Sequence, residues 1–139
     1  MSIKYFLLII SVIFSSNCTG PVESSAQKLS FTLSDSLTIQ YQDTLYNANE
    51  NIWITLDSLV QDSRCPINVT CVWAGNAKMA LSFGKDNNKS SFELNSNRQF
   101  RNDTTLYGYN IQLIDVKPYP HTDSTYVQKD YSTRLLIKK

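Results

Sequence analysis

The chain has 139 residues, 42% of them hydrophobic and 18% charged, with 13 basic against 12 acidic side chains. That length suits one domain with a modest core. The balanced charge argues against the clustered basic surface of a nucleic-acid binder, so no nucleic-acid partner is expected.

At the N-terminus, Lys4 gives a short positive segment, and Tyr5 to Phe14 form a ten-residue apolar run. The run is too short for a permanent transmembrane helix but has the length of a signal-peptide core. Ser15-Ser16-Asn17 and then Cys18 follow. A cysteine directly after such a core is where a lipoprotein signal peptidase cleaves. Residues 1–17 are therefore expected to be a signal peptide and Cys18 the lipidated residue. Ser15 and Asn17 depart from the strongest form of that cleavage signal, and ordinary secretion with cleavage nearby is the alternative. Cysteine arithmetic favours the anchor: three thiols are an odd number, and lipid on Cys18 leaves Cys65 and Cys71 to pair. The implied location is the bacterial cell envelope, outside the cytoplasm, with a membrane as partner through the lipid (the outer membrane where the cell has one). Removing residues 1–17 removes Lys4 and no acid, leaving 12 basic residues (13 minus 1) against 12 acidic.

Residues 18–28 read as the lipidated cysteine and a flexible linker, and residues 29–139 as a single β-rich domain. Period-two alternation recurs along it. Leu29, Phe31 and Leu33 alternate first, then Leu37, Ile39 and Tyr41. Asn47 to Asn51 break the pattern, as residues that tolerate left-handed backbone. Ile52, Ile54 and Leu56 share one strand face. Val72 to Gly84 is the longest expected strand, bent at Gly75-Asn76, with Met79, Leu81 and Phe83 on one side. Lys85 to Asn88 connect it to a strand over Ser90–Leu94. A short strand is expected through Gln99–Leu106, and Tyr109, Ile111 and Leu113 mark another that ends at Lys117-Pro118. A loop over 118–132 and a last strand, Leu135–Lys138, complete the series. Outside the signal segment no window has helical periodicity. Closely spaced strands of this kind predict an all-β fold, a single β-sandwich with an immunoglobulin-like arrangement first and a partly open barrel as alternative.

The most informative stretch is Asp62-Ser63-Arg64-Cys65-Pro66-Ile67-Asn68-Val69-Thr70-Cys71-Val72-Trp73-Ala74-Gly75. Cysteines six positions apart meet only across a compact loop. A ring this small contributes roughly 2 kcal/mol in the chain-entropy account. Pro66 fixes one φ inside it, and Trp73 is expected to lay its ring against the disulfide or the adjoining core. Asp62 and Arg64 are expected to form an ion pair or to cap the turn. The sharper reading makes Asp62, Arg64, Pro66, Ile67 and Trp73 a possible binding loop, because a cross-linked loop loses less entropy on binding.

The run DSRCP followed by C-x-W-A-G-x-A resembles the mark of a family of small bacterial lipoproteins and secreted proteins. Gly108 to Leu113, the turn Val116-Lys117-Pro118-Tyr119-Pro120 and the pair Asp130-Tyr131 extend the likeness from about residue 29 to the end. It implies an extracytoplasmic domain and carries no activity or substrate.

His121, the sole histidine, sits in a Pro/Asp/Ser/Thr loop without a nucleophile-elbow pattern, which argues against a serine triad. Cys65, Cys71 and His121 fall short of a structural zinc site. Asp57, Asp62, Asp115, Asp123 and Asp130 lack calcium-loop spacing. No cofactor or metal is expected. Tyr107 and Tyr109, or Tyr119, Tyr126 and Tyr131, are core or edge covers on the plainer reading and a ligand face on the other. The expected function is a non-enzymatic module of the envelope that binds a protein or glycan or supports an assembly. The alternative is a protease-inhibitor-like protein presenting the Cys65–Cys71 loop.

Overall fold

Alternating side chains produce strands with one buried face, and such faces must be covered by one another. The computed structural model describes residues 29–139; the expected signal peptide, Cys18 and the expected linker lie outside the described residues. In chain order the strands are β1 (Ser36–Gln40), β2 (Thr44–Asn47), β3 (Ile52–Asp62), β4 (Ala77–Lys85), β5 (Asn88–Asn95), β6 (Asp103–Leu106), β7 (Tyr109–Lys117) and β8 (Ser132–Lys138). One 3-10 turn, Gln128–Asp130, precedes β8. They make two four-stranded antiparallel sheets, β1-β8-β7-β6 and β2-β3-β4-β5, packed as a β-sandwich.

The strand order is that of a meander. Neighbours in sequence are neighbours in space from β2 to β5 and from β6 to β8, and β1 joins the free side of β8. An immunoglobulin-like sandwich interleaves its strands in Greek-key fashion, and this chain does not. Followed around the section, the order is that of an eight-strand up-and-down ring with two places where the ladder is interrupted, between β5 and β6 and between β1 and β2.

Each interruption is bridged by other polar contacts. At the β5–β6 side, buried Asn102 donates from Nδ2 to the carbonyls of Asn95 (2.8 Å) and Leu113 (2.9 Å). The Asn95 amide and side chain both donate to the Arg101 carbonyl. At the β1–β2 side, residues 29–31 pair with β2: Tyr46 N–H donates to Leu29 O, and Phe31 N–H to Tyr46 O. This corrects the first expected strand. Leu29–Leu33 forms one isolated bridge, Ser30 to Tyr46, and a strap that delivers buried Phe31 to the core.

The inner faces hold Leu37 and Ile39, Ile52, Ile54 and Leu56, Met79, Leu81 and Phe83, Ile111 and Leu113, and Leu135 and Ile137, all buried. Each such side chain contributes about 1.5–3 kcal/mol by leaving water. Asn47 closes the β2–β3 turn by accepting the Glu50 N–H on Oδ1, and Asn51 sits there with φ 51°. Tyr107 (φ 51°) and Gly108 (φ 84°) form the two-residue β6–β7 turn with both central residues left-handed, the geometry favoured by strand twist. Trp53 lies opposite Gly84 in the β3–β4 register, and a Cβ at Gly84 would collide with the indole ring.

The chain end is also tied down. Lys139 Nζ lies 2.8 Å from Glu50 Oε2, and Tyr109 OH donates to the same oxygen at 2.6 Å. The hydrogen bond from Lys139 and then that from Tyr109 hold the Glu50 carboxyl below its ordinary range, while Glu50 raises Lys139. A depressed carboxyl contributes stability above its unfolded pKa that is lost as pH falls through the folded value. A raised lysine contributes below its unfolded pKa and loses that contribution as pH rises through the folded value. Unfolding followed against pH is therefore expected to show stability declining below about pH 4.5 and above about pH 10.5, with Glu50→Gln reducing the acid-side decline. Asn102→Ala removes donors from two interior carbonyls, and urea denaturation is expected to show a loss of about 2–3 kcal/mol.

Candidate functional site

The segment after β3 is organised by Arg64. Its side chain is 4% exposed and that of Asp62 is 9% exposed. Arg64 donates from Nε to Asp62 Oδ1 (2.8 Å) and from Nη2 to Oδ2 (2.6 Å), a two-pronged ion pair. Its remaining donors reach across to the end of β7, with Nη1 on the Val116 carbonyl (2.6 Å) and Nη2 on the Pro118 carbonyl (2.8 Å). The Tyr119 ring lies 4.7 Å from the guanidinium carbon. Asp62 also accepts the Arg64 backbone N–H at 3.1 Å, so it is both ion-pair partner and turn cap. Tyr131 OH is 3.5 Å from Asp62, and burial first, then the Asp62 charge, push the phenol above its ordinary pKa.

Cys65 and Cys71 form a disulfide with Cα atoms 5.9 Å apart. Inside the ring, Val69 N–H donates to Pro66 O, closing a turn. Ile67 N–H donates to Pro120 O, and Asn68 Oδ1 accepts the Thr122 N–H. The loop is thus docked on residues 120–122, with Ile67 71% exposed and Val69 also exposed.

Trp73 is not among the buried core side chains; it is 65% exposed, beside a 95% exposed Val72. The reason lies in the expected strand over Val72–Gly84, which begins only at Ala77. Gly75 has φ +68°, and a Cβ there would collide with the Ser63 carbonyl as the two segments cross. Residues 72–76 therefore run as a loop outside the strand's alternation, which leaves Trp73 free to face outward.

Trp73 borders an open cleft of about 570 Å³, within the size range of small-ligand sites. The β5–β6 loop supplies another part of its wall with Asn97, Gln99, Phe100 and Arg101, and Gln61, Asn76 and Lys78 also line it. Phe100 is also exposed. The expected strand through Gln99–Leu106 is thus corrected: regular pairing starts at Asp103, and residues 96–102 are the loop that forms this wall. Asn97 is locked, accepting the Gln99 N–H on Oδ1 and donating from Nδ2 to Gly75 O at 3.1 Å. Asn76 accepts the Asn97 N–H and donates to Asn95. The spacing signals did not point to Phe100 or its neighbours. The available signal was one large aromatic alone in a polar run, Asn95 to Asn102.

Of the tyrosines singled out above, Tyr107 and Tyr119 are exposed. Tyr109 and Tyr131 are buried; Tyr107 stacks on Phe83 and Tyr126 meets Tyr131 edge-on. His121 is partly exposed, its Nδ1 accepting the Asp123 N–H at 3.3 Å. Among the described residues no three His, Cys, Asp or Glu side chains converge as a metal site, and no helix is long and apolar enough to cross a membrane.

Fold and site together define an all-β sandwich with a disulfide-closed, arginine-clamped loop at one end. Compared with protein-family models, curated proteins and solved structures, the chain has no significant match.

The clamp makes a quantitative demand. Arg64→Ala leaves Asp62 interior and uncompensated, and chemical denaturation is expected to show a loss of about 3–5 kcal/mol. The double variant Asp62→Ala/Arg64→Ala is expected to cost less than the sum of the two single variants, since each single change strands the other charge.

Proposed function

We propose that the protein is a non-enzymatic module of the bacterial envelope, anchored through lipid on Cys18, that binds a protein or glycan through the loop end of its sandwich. The observation that carries this reading is the company kept by the exposed apolar side chains. Of the exposed large hydrophobic side chains, five, Ile67, Val69, Val72, Trp73 and Phe100, stand on the two loops at that end, while Leu29, Val60, Ile114 and Val127 lie outside those loops. Apolar groups held out in water on a cross-linked, clamped loop lose little freedom when a partner covers them.

The inhibitor-like alternative draws on the same loop. Against it, Ile67 N–H is already bonded to Pro120 O and the ring closes on itself as a turn. The loop thus offers side chains rather than an extended backbone to a protease.

Two measurements test the reading. Metabolic labelling with a palmitate analogue is expected to mark the wild type and not Cys18→Ala; equal labelling of both removes the anchor. A photoreactive residue placed at Val72 in growing cells is expected to give discrete adducts, while one at Thr38, on the opposite sheet, gives none. Equal adduct patterns at both positions would remove the loop end as the binding surface.

A further inference from the structure

We infer that the cleft between Trp73 and Phe100 binds a short acidic saccharide. The inference rests on the binding reading above and names the ligand class. Three features of the lining carry it.

The first is the pair of exposed rings. A pyranose ring has C–H-rich faces that stack on aromatic rings, and an aromatic contact contributes specific geometry beyond buried area. Trp73 and Phe100 stand on separate loops, after β3 and after β5, and both line the cleft.

The second is the amide lining. Sugar hydroxyls both donate and accept, and an amide side chain is matched to that because it does both. Gln61 and Gln99 make no side-chain hydrogen bond among the described residues and line the cleft beside Asn76 and Asn97. The last two are fixed in orientation by their bonds to Asn95, Gly75 and the loop backbone. Fixed donors and acceptors reduce the ordering cost of binding a polar ligand. A lipid or other apolar ligand would need aliphatic walls, and Ala74 is the only aliphatic side chain in the lining.

The third is charge. Lys78 and Arg101 line the cleft, and no carboxylate does. Lys78 is shared with Glu93 at 3.4 Å, on the neighbouring strand. Arg101 uses one terminal nitrogen on Thr104 Oγ1 and leaves the rest of its planar fork available. A guanidinium fork matches a carboxylate in two-pronged fashion, so a uronic acid fits better than a neutral sugar.

The test uses the full-chain protein in detergent, a saccharide array and calorimetry with a trimer of galacturonic acid and its methyl-esterified, neutral form. An array holding bacterial and non-bacterial saccharides separates the cell's own polymers from external ones. Acidic saccharides are expected to bind, with Trp73→Ala and Phe100→Ala each weakening affinity by about tenfold, equivalent to roughly 1.4 kcal/mol. Arg101→Gln is expected to weaken the acidic trimer several-fold and leave the neutral form unchanged. All three side chains are exposed, and circular dichroism is expected to show each variant folded. Equal affinity for the acidic and neutral trimers would overturn the acidic assignment. Absence of any saccharide binding, with a protein adduct still formed at Val72, would overturn the cleft's ligand class and leave the binding module standing. Absence of both would overturn the two together.

Discussion

Arg64 is a cation held almost wholly out of water, and the loop end of the sandwich is arranged around satisfying it. Removing a guanidinium from water costs several kcal/mol unless every donor is met and the charge is paired. Asp62 supplies the charge and two acceptors, the carbonyls of Val116 and Pro118 supply two more, so four of the five N–H groups are bonded, and Tyr119 covers a face. These partners come from β3, the end of β7 and the segment after it. One side chain therefore fixes where β3, of one sheet, ends relative to the end of β7, of the other. The disulfide ring is attached to the residue next to Arg64, so its position is inherited from the clamp.

The two sheets meet without a continuous ladder around them, and polar side chains complete the junctions. Interior asparagine is costly unless both amide groups are bonded. Asn102 meets that condition by bridging β5 to β7, and Asn95 and Asn76 extend the same set of bonds toward Asn97. The bonds that join the sheets therefore run on into the cleft wall. Rigidity at the candidate site is in this sense a by-product of closing the fold.

Much of the fold is legible in the sequence because alternation reports a half-buried strand directly. Ile52–Leu56, Met79–Phe83 and Tyr109–Leu113 fall on the inner faces as their spacing implies, and the Asn47–Asn51 break is a turn. β2 escapes notice because its four residues, Thr-Leu-Tyr-Asn, are too few for a period to register. The stretch 72–76 misleads for a different reason. Val72-Trp73-Ala74 has the composition of a strand, but Gly75 is needed with positive φ where the chain crosses Ser63, and that crossing depends on contacts distant in sequence. The same applies to the site. The pairing of Cys65 with Cys71 and of Asp62 with Arg64 is local and readable. The presence of Trp73 and Phe100 in one cleft depends on how β3, β4 and β5 register, which no local spacing encodes.

The position of the final strand sets the order in which the sandwich can be completed. β8 is interior to its sheet, bonded to β7 on one side and to β1 on the other, and Ser36 stands opposite Leu136. The hairpins β2–β3, β3–β4, β4–β5 and β6–β7 can zip as soon as their partners exist, since loop closure is cheap over short separations. β1 has no ladder partner until the last seven-residue strand arrives. A chain emerging from its N-terminus must hold that edge open, and the hydrophobic faces of Leu37 and Ile39 uncovered by β8, until β8 itself is delivered.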